Sequence, residues 1–123
     1  MYSFGNSGIS KVGDAFFPNQ QGPCWVTALA NGKYFYVANA GTNNISGFQV
    51  NSDNTYTLLN NGNVRESGLK TIDIVSSPNS KFVYSLNAES RSIRLYEVEP
   101  DGQLSIISDR YNLLPTVTAF AIK

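Results

Sequence analysis

The sequence predicts an all-β fold built from repeated four-stranded units, and three observations support this. Seven Phe, seven Tyr, one Trp and ten Gly are spread over 123 residues, a composition typical of strands joined by turns. Apolar residues alternate over short runs, and no run has helical periodicity. The segment NGKYFYVANAGTNNISGFQV, residues 31–50, returns 48 residues later as NSKFVYSLNAESRSIRLYEV, residues 79–98.

The repeat aligns without a gap, and apolar positions fall on apolar positions. Such self-similarity is the signature of a repeat architecture. Each unit should be sandwiched between its neighbours, so we expect its apolar side chains to be mostly buried. The side chains concerned are Tyr36, Ile45 and Phe48 in the first unit and their equivalents Tyr84, Ile93 and Tyr96 in the second.

Each unit contains four predicted strands, a to d. Asn31-Gly32 is a strong signal for the hairpin between strands a and b. A period in the forties with four strands per unit predicts the blades of a β-propeller. The predicted strands are 24–30, 33–39, 45–50 and 56–62 in the first unit and 72–77, 81–87, 93–98 and 104–109 in the second.

The two ends of the chain predict flanking strands from adjoining blades. Residues 116–122 repeat the pattern of strand a, and residues 1–16 read as the end of a strand c, a Gly turn and a strand d. The predicted architecture is therefore a β-propeller segment with two full four-stranded blades. Its parts are 1–22 (the end of one blade and a connection), 23–68 (a blade), 69–112 (a blade) and 113–123 (a closing strand).

These eleven predicted strands do not close a ring. Unpaired strand edges template association. The partners we expect are therefore the rest of the propeller or further copies of this chain.

The run GPCWVTALANGKYFYVANAGTNNISGFQV, residues 22–50, carries a family pattern, which continues at Asp101-Gly102 and Leu104. It resembles the repeat of the lactonase-like seven-bladed β-propellers, which include 6-phosphogluconolactonase-like and 3-carboxymuconate-cyclase-like proteins. The resemblance covers nearly the whole chain and implies a C-terminal third of such a propeller. The catalytic His of the carboxymuconate cyclases has no counterpart, because the chain contains no His.

Composition excludes several classes of function. Nine Lys and Arg, scattered along the chain, balance nine Asp and Glu, whereas a nucleic-acid footprint needs a basic patch. No apolar run approaches the length of a membrane span. No signal peptide follows Met1, so the default location is cytoplasmic, with secretion if the N-terminus is truncated.

The same counts argue against cofactors and metals. A single Cys and no His exclude an internal disulfide and His/Cys metal clusters. Cys24 lacks a His partner, so we expect it to be a buried packing residue and not a nucleophile. Neither a Ca²⁺ loop nor a phosphate-binding Gly loop is present in the sequence.

Ligand sites in propellers usually lie at the channel mouth, where strand a and the longer connections converge. Trp25 and Asp73 occupy equivalent positions near the start of strand a. Trp25 is a candidate stacking platform for a sugar-like ligand, and Asp73 a candidate channel-mouth carboxylate. The structural alternatives are blade packing for Trp25 and capping of backbone amides for Asp73.

Three charged residues in the connections are further binding candidates. Arg65 could hold a small anionic substrate and Glu66 could transfer a proton; an exposed ion pair is the alternative. Arg91, with Glu89, lies in a b–c loop, where a solvated pair is the alternative. Asn39 and Asn87 end strand b in both units, which favours a structural role through bonds to local backbone.

Two functional hypotheses remain. The first is a segment of an enzyme acting on a lactone or sugar acid at the channel mouth, with Arg65, Glu66 and Asp73 contributing. The second is a structural or binding scaffold that has no complete active site in this chain. The absence of His and of a clear acid–base pair favours the second, and no catalytic residue is assigned.

Overall fold

The computed structural model describes residues 2–5, 8–11, 19–53 and 55–121. Every strand pairing is antiparallel, and no α-helix occurs in these residues, which confirms the all-β prediction. The strands are β1 (Tyr2–Gly5), β2 (Gly8–Lys11), β3 (Pro23–Ala28), β4 (Tyr34–Asn39), β5 (Asn44–Val50), β6 (Tyr56–Leu58), β7 (Arg65–Glu66), β8 (Thr71–Ser76), β9 (Phe82–Asn87), β10 (Ser92–Val98) and β11 (Leu104–Arg110).

The strands form two blades and a separate hairpin. The first blade has the order β3-β4-β5-β6, and β7 also pairs with β5. The second blade has the order β8-β9-β10-β11, and β1 pairs with β2. Each predicted blade strand has a counterpart within about two residues of its expected bounds, apart from strand d of the first blade.

Strand d of the first blade is split into β6 and β7 by a 3₁₀ turn at Asn60–Gly62. Asn61 has a left-handed backbone (φ 52°), and the Ser46 hydroxyl donates to the Gly62 carbonyl at 2.8 Å. This turn brings Val64 over Gly47 of β5. A Cβ added at Gly47 would lie 2.5 Å from Val64 Cγ1. The split strand therefore depends on the absence of a side chain at position 47.

The core lies between the two blades. The first blade contributes Leu29, Tyr36, Ala38, Ile45 and Val64, and the second contributes Ile74, Val83, Tyr96 and Leu104. The burial prediction holds for Tyr36, Ile45, Phe48 and Tyr96. Tyr84 and Ile93 are only half-buried, because their strand faces point to the side of the second blade away from the first.

Several hydrogen bonds join the blades, including one in the core and two along the first strands. The Tyr36 hydroxyl donates to the Gly102 carbonyl at 3.0 Å inside the core. Along the first strands, the Ser76 amide donates to the Thr27 hydroxyl at 3.1 Å, and the Ser76 hydroxyl donates to the Ala28 carbonyl at 2.9 Å. The blades therefore meet along β3 and β8, which we call the inner edge.

The C-terminal segment differs from the prediction. A closing strand is predicted within 113–123, but residues 117–121 form no β-ladder in the described chain. A strand needs a neighbouring strand to pair with, and here the Phe120 amide instead donates to Asp73 Oδ2 at 3.0 Å. Residues 122–123 lie outside the described residues, as do residues 1, 6–7 and 12–18 of the predicted segment 1–22. No helix among the described residues is long and apolar enough to cross a membrane.

Candidate functional site

Trp25 lies on the inner edge and is 59% exposed. The register of β3 against β4 shifts between Pro23 and Trp25, so a bulge precedes the indole. Bulges re-aim the side chains beside them. The exposed ring borders an open apolar hollow of about 320 Å³, an arrangement that leaves an aromatic face available for stacking. The hollow is lined by Pro23, Cys24, Trp25, Val26 and Val37. Cys24 is exposed, so the prediction of a buried side chain at this position is wrong.

Asp73 lies at the equivalent position on β8, also after a bulge. Unlike Trp25, it is buried. Its Oδ1 accepts the Ile74 amide at 2.8 Å and its Oδ2 accepts the Phe120 amide at 3.0 Å. These are the contacts that the capping alternative requires, because each carboxylate oxygen accepts a backbone N–H.

Arg65 and Glu66 lie on the opposite edge of the first blade. Both are exposed, and their strand pairs with β5 through the residue pairs Ile45–Arg65 and Asn44–Glu66. Three strand spacings, about 14 Å, separate this strand from β3. The structure therefore does not bring these two side chains together with Trp25.

The candidate set Arg65, Glu66 and Asp73 is not assembled either. The Glu66 carbonyl contacts the Tyr96 hydroxyl on β10, whereas Asp73 lies two strands away on β8. Neighbouring residues of a strand point to opposite faces, and no ion pair joins Arg65 to Glu66 in the described chain.

Arg91 lies in the turn between β9 and β10, with a left-handed backbone (φ 46°) and an exposed side chain. Its carbonyl accepts the Leu113 amide at 3.1 Å. The backbone of Arg91 therefore fastens the segment that follows β11, and its guanidinium makes no hydrogen bond or ion pair within the described chain.

Sequence reasoning missed a charged cluster on the second blade. Arg94 donates from Nε to Asp109 Oδ1 at 2.6 Å and from Nη2 to Oδ2 at 2.8 Å, a bidentate pair. The Tyr111 hydroxyl donates to the same Oδ2 at 3.0 Å, and Arg94 Nη1 donates to the Ser67 carbonyl at 3.3 Å. The cluster ties β10 and β11 to the connection from the first blade. The signal available in the sequence was an Arg and an Asp on adjacent predicted strands.

These contacts perturb the ionisation of the pair. The hydrogen bonds from the Arg94 guanidinium lower the pKa of Asp109. The same bonds raise the pKa of Arg94. Burial raises the pKa of Tyr96, which lies nearby in the core, to about 12. The cluster is therefore an ion pair held together at neutral pH, which suits a structural role better than proton transfer.

Asn87 is fully buried, and both the oxygen and the nitrogen of its side chain are hydrogen-bonded to other side chains. Its Oδ1 accepts the hydroxyls of Thr71 at 2.8 Å and Ser85 at 3.3 Å. Its Nδ2 donates to the Ser92 hydroxyl at 3.3 Å. The predicted structural role thus takes the form of a buried side-chain network, and the expected bonds to local backbone are absent among the described contacts.

Asn39 has the equivalent position in the first blade but a different network. Its Nδ2 donates to Asn44 Oδ1 at 3.0 Å and to the Ser46 hydroxyl at 2.8 Å. Its Oδ1 is buried without a hydrogen-bond partner in the described chain. The repeat explains this, since Pro23 and Val37 replace the two hydroxyl donors of the second blade.

The described residues contain no group of three or more His, Cys, Asp or Glu side chains placed to hold a metal ion.

Two stacked antiparallel four-strand blades, with connected inner strands, define a segment of a β-propeller. The chain belongs to the family described as "Lactonase, 7-bladed beta-propeller", whose model matches residues 2–116. No curated protein sequence matches the chain significantly.

Solved structures share the fold. A functionally unknown protein from Desulfotomaculum acetoxidans is 21% identical with a TM-score of 0.81, over 95% of this chain and 36% of that one. A putative 6-phosphogluconolactonase from Bacteroides fragilis is 20% identical (TM-score 0.79), over 91% of this chain and 32% of that one. The Pseudomonas aeruginosa periplasmic gluconolactonase is 21% identical (TM-score 0.71), over 91% of this chain and 33% of that one. The chain thus spans about a third of the length of these structures.

Proposed function

We propose that this chain is a structural and binding segment of a lactonase-like propeller, with no complete active site of its own. The observation that carries this proposal is the state of Asp73. The carboxylate at the inner edge is buried, and each of its oxygens accepts a backbone amide. A group held in this way fastens the C-terminal segment to β8, whereas a general base must direct an oxygen at the substrate proton.

The placement of the other charged candidates supports the same conclusion. Arg65 and Glu66 lie on the outer strand of the first blade, about 14 Å from the strand that carries Trp25. Asp109 is committed to Arg94. Catalysis by acid and base groups needs them within hydrogen-bond reach of one reacting centre, and these groups are distributed over both edges of the blades.

Hydrolysis of lactones tests the proposal directly. We expect the purified chain to hydrolyse glucono-lactone and 6-phosphogluconolactone no faster than buffer alone, followed by base consumption at constant pH. Asp73→Asn, which keeps the size of the side chain, serves as the matched variant, together with Arg65→Ala. A rate above buffer that disappears in either variant, with an unchanged circular dichroism spectrum, would contradict the scaffold proposal.

A second candidate is a share in ligand binding by an enzyme acting on a lactone or sugar acid. It is favoured by Trp25, which is exposed at the inner edge beside an apolar hollow. Aromatic faces of this kind take up the apolar face of a ring, while polar groups fix its orientation. The two similar structures named for lactonase activity make sugar acids the natural ligands to test.

Trp25 is the single Trp of the chain, so its fluorescence reports on the inner edge alone. The ligand-binding candidate requires a saturable change in emission with gluconate or 6-phosphogluconate, and none with acetate at equal ionic strength. The scaffold proposal expects the same small, linear change for all three. The assay reads binding without turnover, so it separates the two candidates even when no hydrolysis is seen.

A further inference from the structure

A polar hollow of about 290 Å³ lies between the two blades, at the end of their contact that is opposite the inner edge. We call it the seam hollow. The first blade borders it through the split part of strand d, and the second blade borders it through β11. Both walls therefore belong to this chain, and neither is the outward face of a blade. Four of the six lining residues are polar: the set is Asn60, Asn63, Val64, Arg65, Glu66 and Ile106.

Arg65 directs its side chain toward the second blade. Directly opposed residues of an antiparallel pair carry their side chains on the same face of the sheet, and Arg65 is opposite Ile45, which is fully buried in the core between the blades. The charge of Arg65 also acts on Tyr96 of β10: burial raises the pKa of Tyr96 to about 12, and Arg65 acts in the opposite direction. The exposed guanidinium makes no ion pair or hydrogen bond among the described residues.

Asn63 supplies a second donor to the seam hollow. Its Oδ1 is buried without a hydrogen-bond partner in the part of the chain that the structure describes. The residue is half-buried and lines the hollow. The accessible end of its amide is therefore Nδ2, which also has no partner among the described residues. A guanidinium and an amide N–H thus border the same hollow, and both can still donate.

The turn that carries Asn63 holds this arrangement at a cost in stability. Asn60, Asn61 and Gly62 have consecutive left-handed backbones, with φ of 44°, 52° and 90°. The Asn60 side chain donates from Nδ2 to the Asn63 carbonyl at 2.6 Å and so fixes the end of the turn. Backbone strain and unpaired buried polar groups are concentrated at binding sites, where the surrounding structure keeps them in place.

We propose that the seam hollow binds a small organic carboxylate, with Arg65 and Asn63 as its donors. A planar guanidinium offers two parallel N–H groups that match the two carboxylate oxygens, and Asn63 Nδ2 can donate to one of them. The single charge of Arg65 balances one carboxylate, whereas a phosphate monoester carries nearly two charges. The volume is close to the lower end of the range for ligand pockets, which suits a small molecule.

The charges around Arg65 permit an anion. Asp109 on the second blade is neutralised by its bidentate pair with Arg94. Glu66 follows Arg65 on β7, and neighbouring residues of a strand point to opposite faces, so its carboxylate is directed away from the second blade. The site lies across the first blade from Trp25, and the proposal does not depend on the function proposed for the inner edge.

An NMR titration of the isotope-labelled chain with sodium lactate tests the proposal. We expect a saturable shift of the Arg65 Nε–H signal and of the backbone amides of residues 63–66, with a Kd on the order of millimolar. The Nε–H of Arg94 is the internal reference, because it is already bonded to Asp109 and should not shift. Sodium chloride and sodium phosphate at the same ionic strength are measured beside lactate.

Variants of the two donors should differ in effect. Arg65→Gln removes the charge and should weaken lactate binding at least about tenfold. Arg65→Lys keeps the charge without the planar pair of donors, so we expect binding about threefold weaker. Asn63→Ala should also weaken binding about threefold, but its melting temperature should not fall, because the change removes the unpaired buried oxygen.

Arg91→Gln is the matched control, since Arg91 is also exposed but lies in the turn between β9 and β10. It should bind lactate like wild type, and circular dichroism will compare the fold of all variants. Shifts that never saturate, or that chloride reproduces, would overturn the proposal. Tighter binding of phosphate than of lactate would overturn the assignment to a carboxylate. Equal weakening by Arg91→Gln and Arg65→Gln would show that the effect does not belong to the seam hollow.

Discussion

The two blades follow the same strand plan but fill it with different side chains. At the centre of strand c the first blade has Gly47, and the second has Leu95. In the first blade, strand d is interrupted by a 3₁₀ turn, and Val64 fills the space over Gly47. In the second blade, β11 runs without a break from Leu104 to Arg110. One missing side chain therefore decides whether the outer strand is continuous.

The buried Asn of the two blades differ in a related way. The Asn87 oxygen accepts hydroxyls from Thr71 on the neighbouring strand β8 and from Ser85 on its own strand. The first blade has Pro23 and Val37 at these positions, and the Asn39 oxygen stays unsatisfied in the described chain. An unpaired buried polar group costs stability. The comparison shows that the repeat conserves the backbone plan more strictly than the polar network, and each difference can be tested by moving a residue between blades.

The largest expected effect comes from Gly47→Ala. Its Cβ would collide with Val64 Cγ1 at 2.5 Å and approach Leu59 Cδ1 at 3.2 Å, and overpacking of this kind costs about 2–3 kcal/mol. Urea unfolding should show this loss. In a Val64→Ala background the same change should cost at least about 1 kcal/mol less, and additive costs would show that the collision is not the cause.

Asp109→Asn tests the ion pair between Arg94 and Asp109 in the second blade. We expect it to lower the free energy of unfolding at pH 7 by about 2 kcal/mol, since a charge-assisted bidentate bond is lost. The pKa of Asp109 is lowered in the folded state, so its contribution is complete above its unfolded pKa and is lost as the pH falls through the folded one.

The difference in free energy of unfolding between wild type and Asp109→Asn should therefore be constant near neutral pH. It should become smaller as the pH falls below the ordinary Asp pKa of 3.8. Unfolding in urea between pH 7 and pH 3 measures it. A difference in free energy of unfolding that grows toward acid pH would contradict the assignment of the lowered pKa to this pair.

Tyr36→Phe and Tyr84→Phe compare two equivalent positions. Tyr36 donates to the Gly102 carbonyl in the core, so its hydroxyl should contribute about 1–1.5 kcal/mol. The Tyr84 hydroxyl lacks such a partner in the described chain, so its removal should lower the free energy of unfolding by a few tenths of a kcal/mol at most. Both costs are measured by urea unfolding under the same conditions. Equal costs would show that the bond to Gly102 contributes nothing.

The smallest expected effect is a gain in stability from Pro23→Thr. Pro23→Thr places a hydroxyl where Thr71 lies in the second blade, within reach of the unsatisfied Asn39 Oδ1. Pro23→Val has the same shape without the hydroxyl and is the matched control. We expect the Thr variant to be more stable than the Val variant by about 1 kcal/mol, measured by thermal and urea unfolding.

The strands were predictable because their alternation and turn residues are local signals. The bounds of β4, β9 and β10 differ from the predicted strands by a single residue, and the inner positions of Trp25 and Asp73 follow from their place on strand a. These features need no knowledge of what packs across the sheet.

The remaining features depend on contacts between distant residues. The split of strand d follows from Val64 packing on Gly47, and Arg65 lies on the outer strand because its backbone pairs with Ile45. The bidentate bond of Arg94 to Asp109 needs the register of β10 against β11, which shifts at a bulge. Periodicity along the chain carries no information about these pairings.

The bulge near the start of strand a has a consequence for how such a protein can change. It occurs at the same point in both blades, between Pro23 and Trp25 and between Thr71 and Asp73. Beyond it, one blade carries an exposed indole and the other a buried carboxylate on the same backbone. Because the extra residue takes up the local distortion, this position accepts side chains of opposite polarity without altering strand pairing. Successive blades can therefore diversify their inner edge independently, one residue at a time.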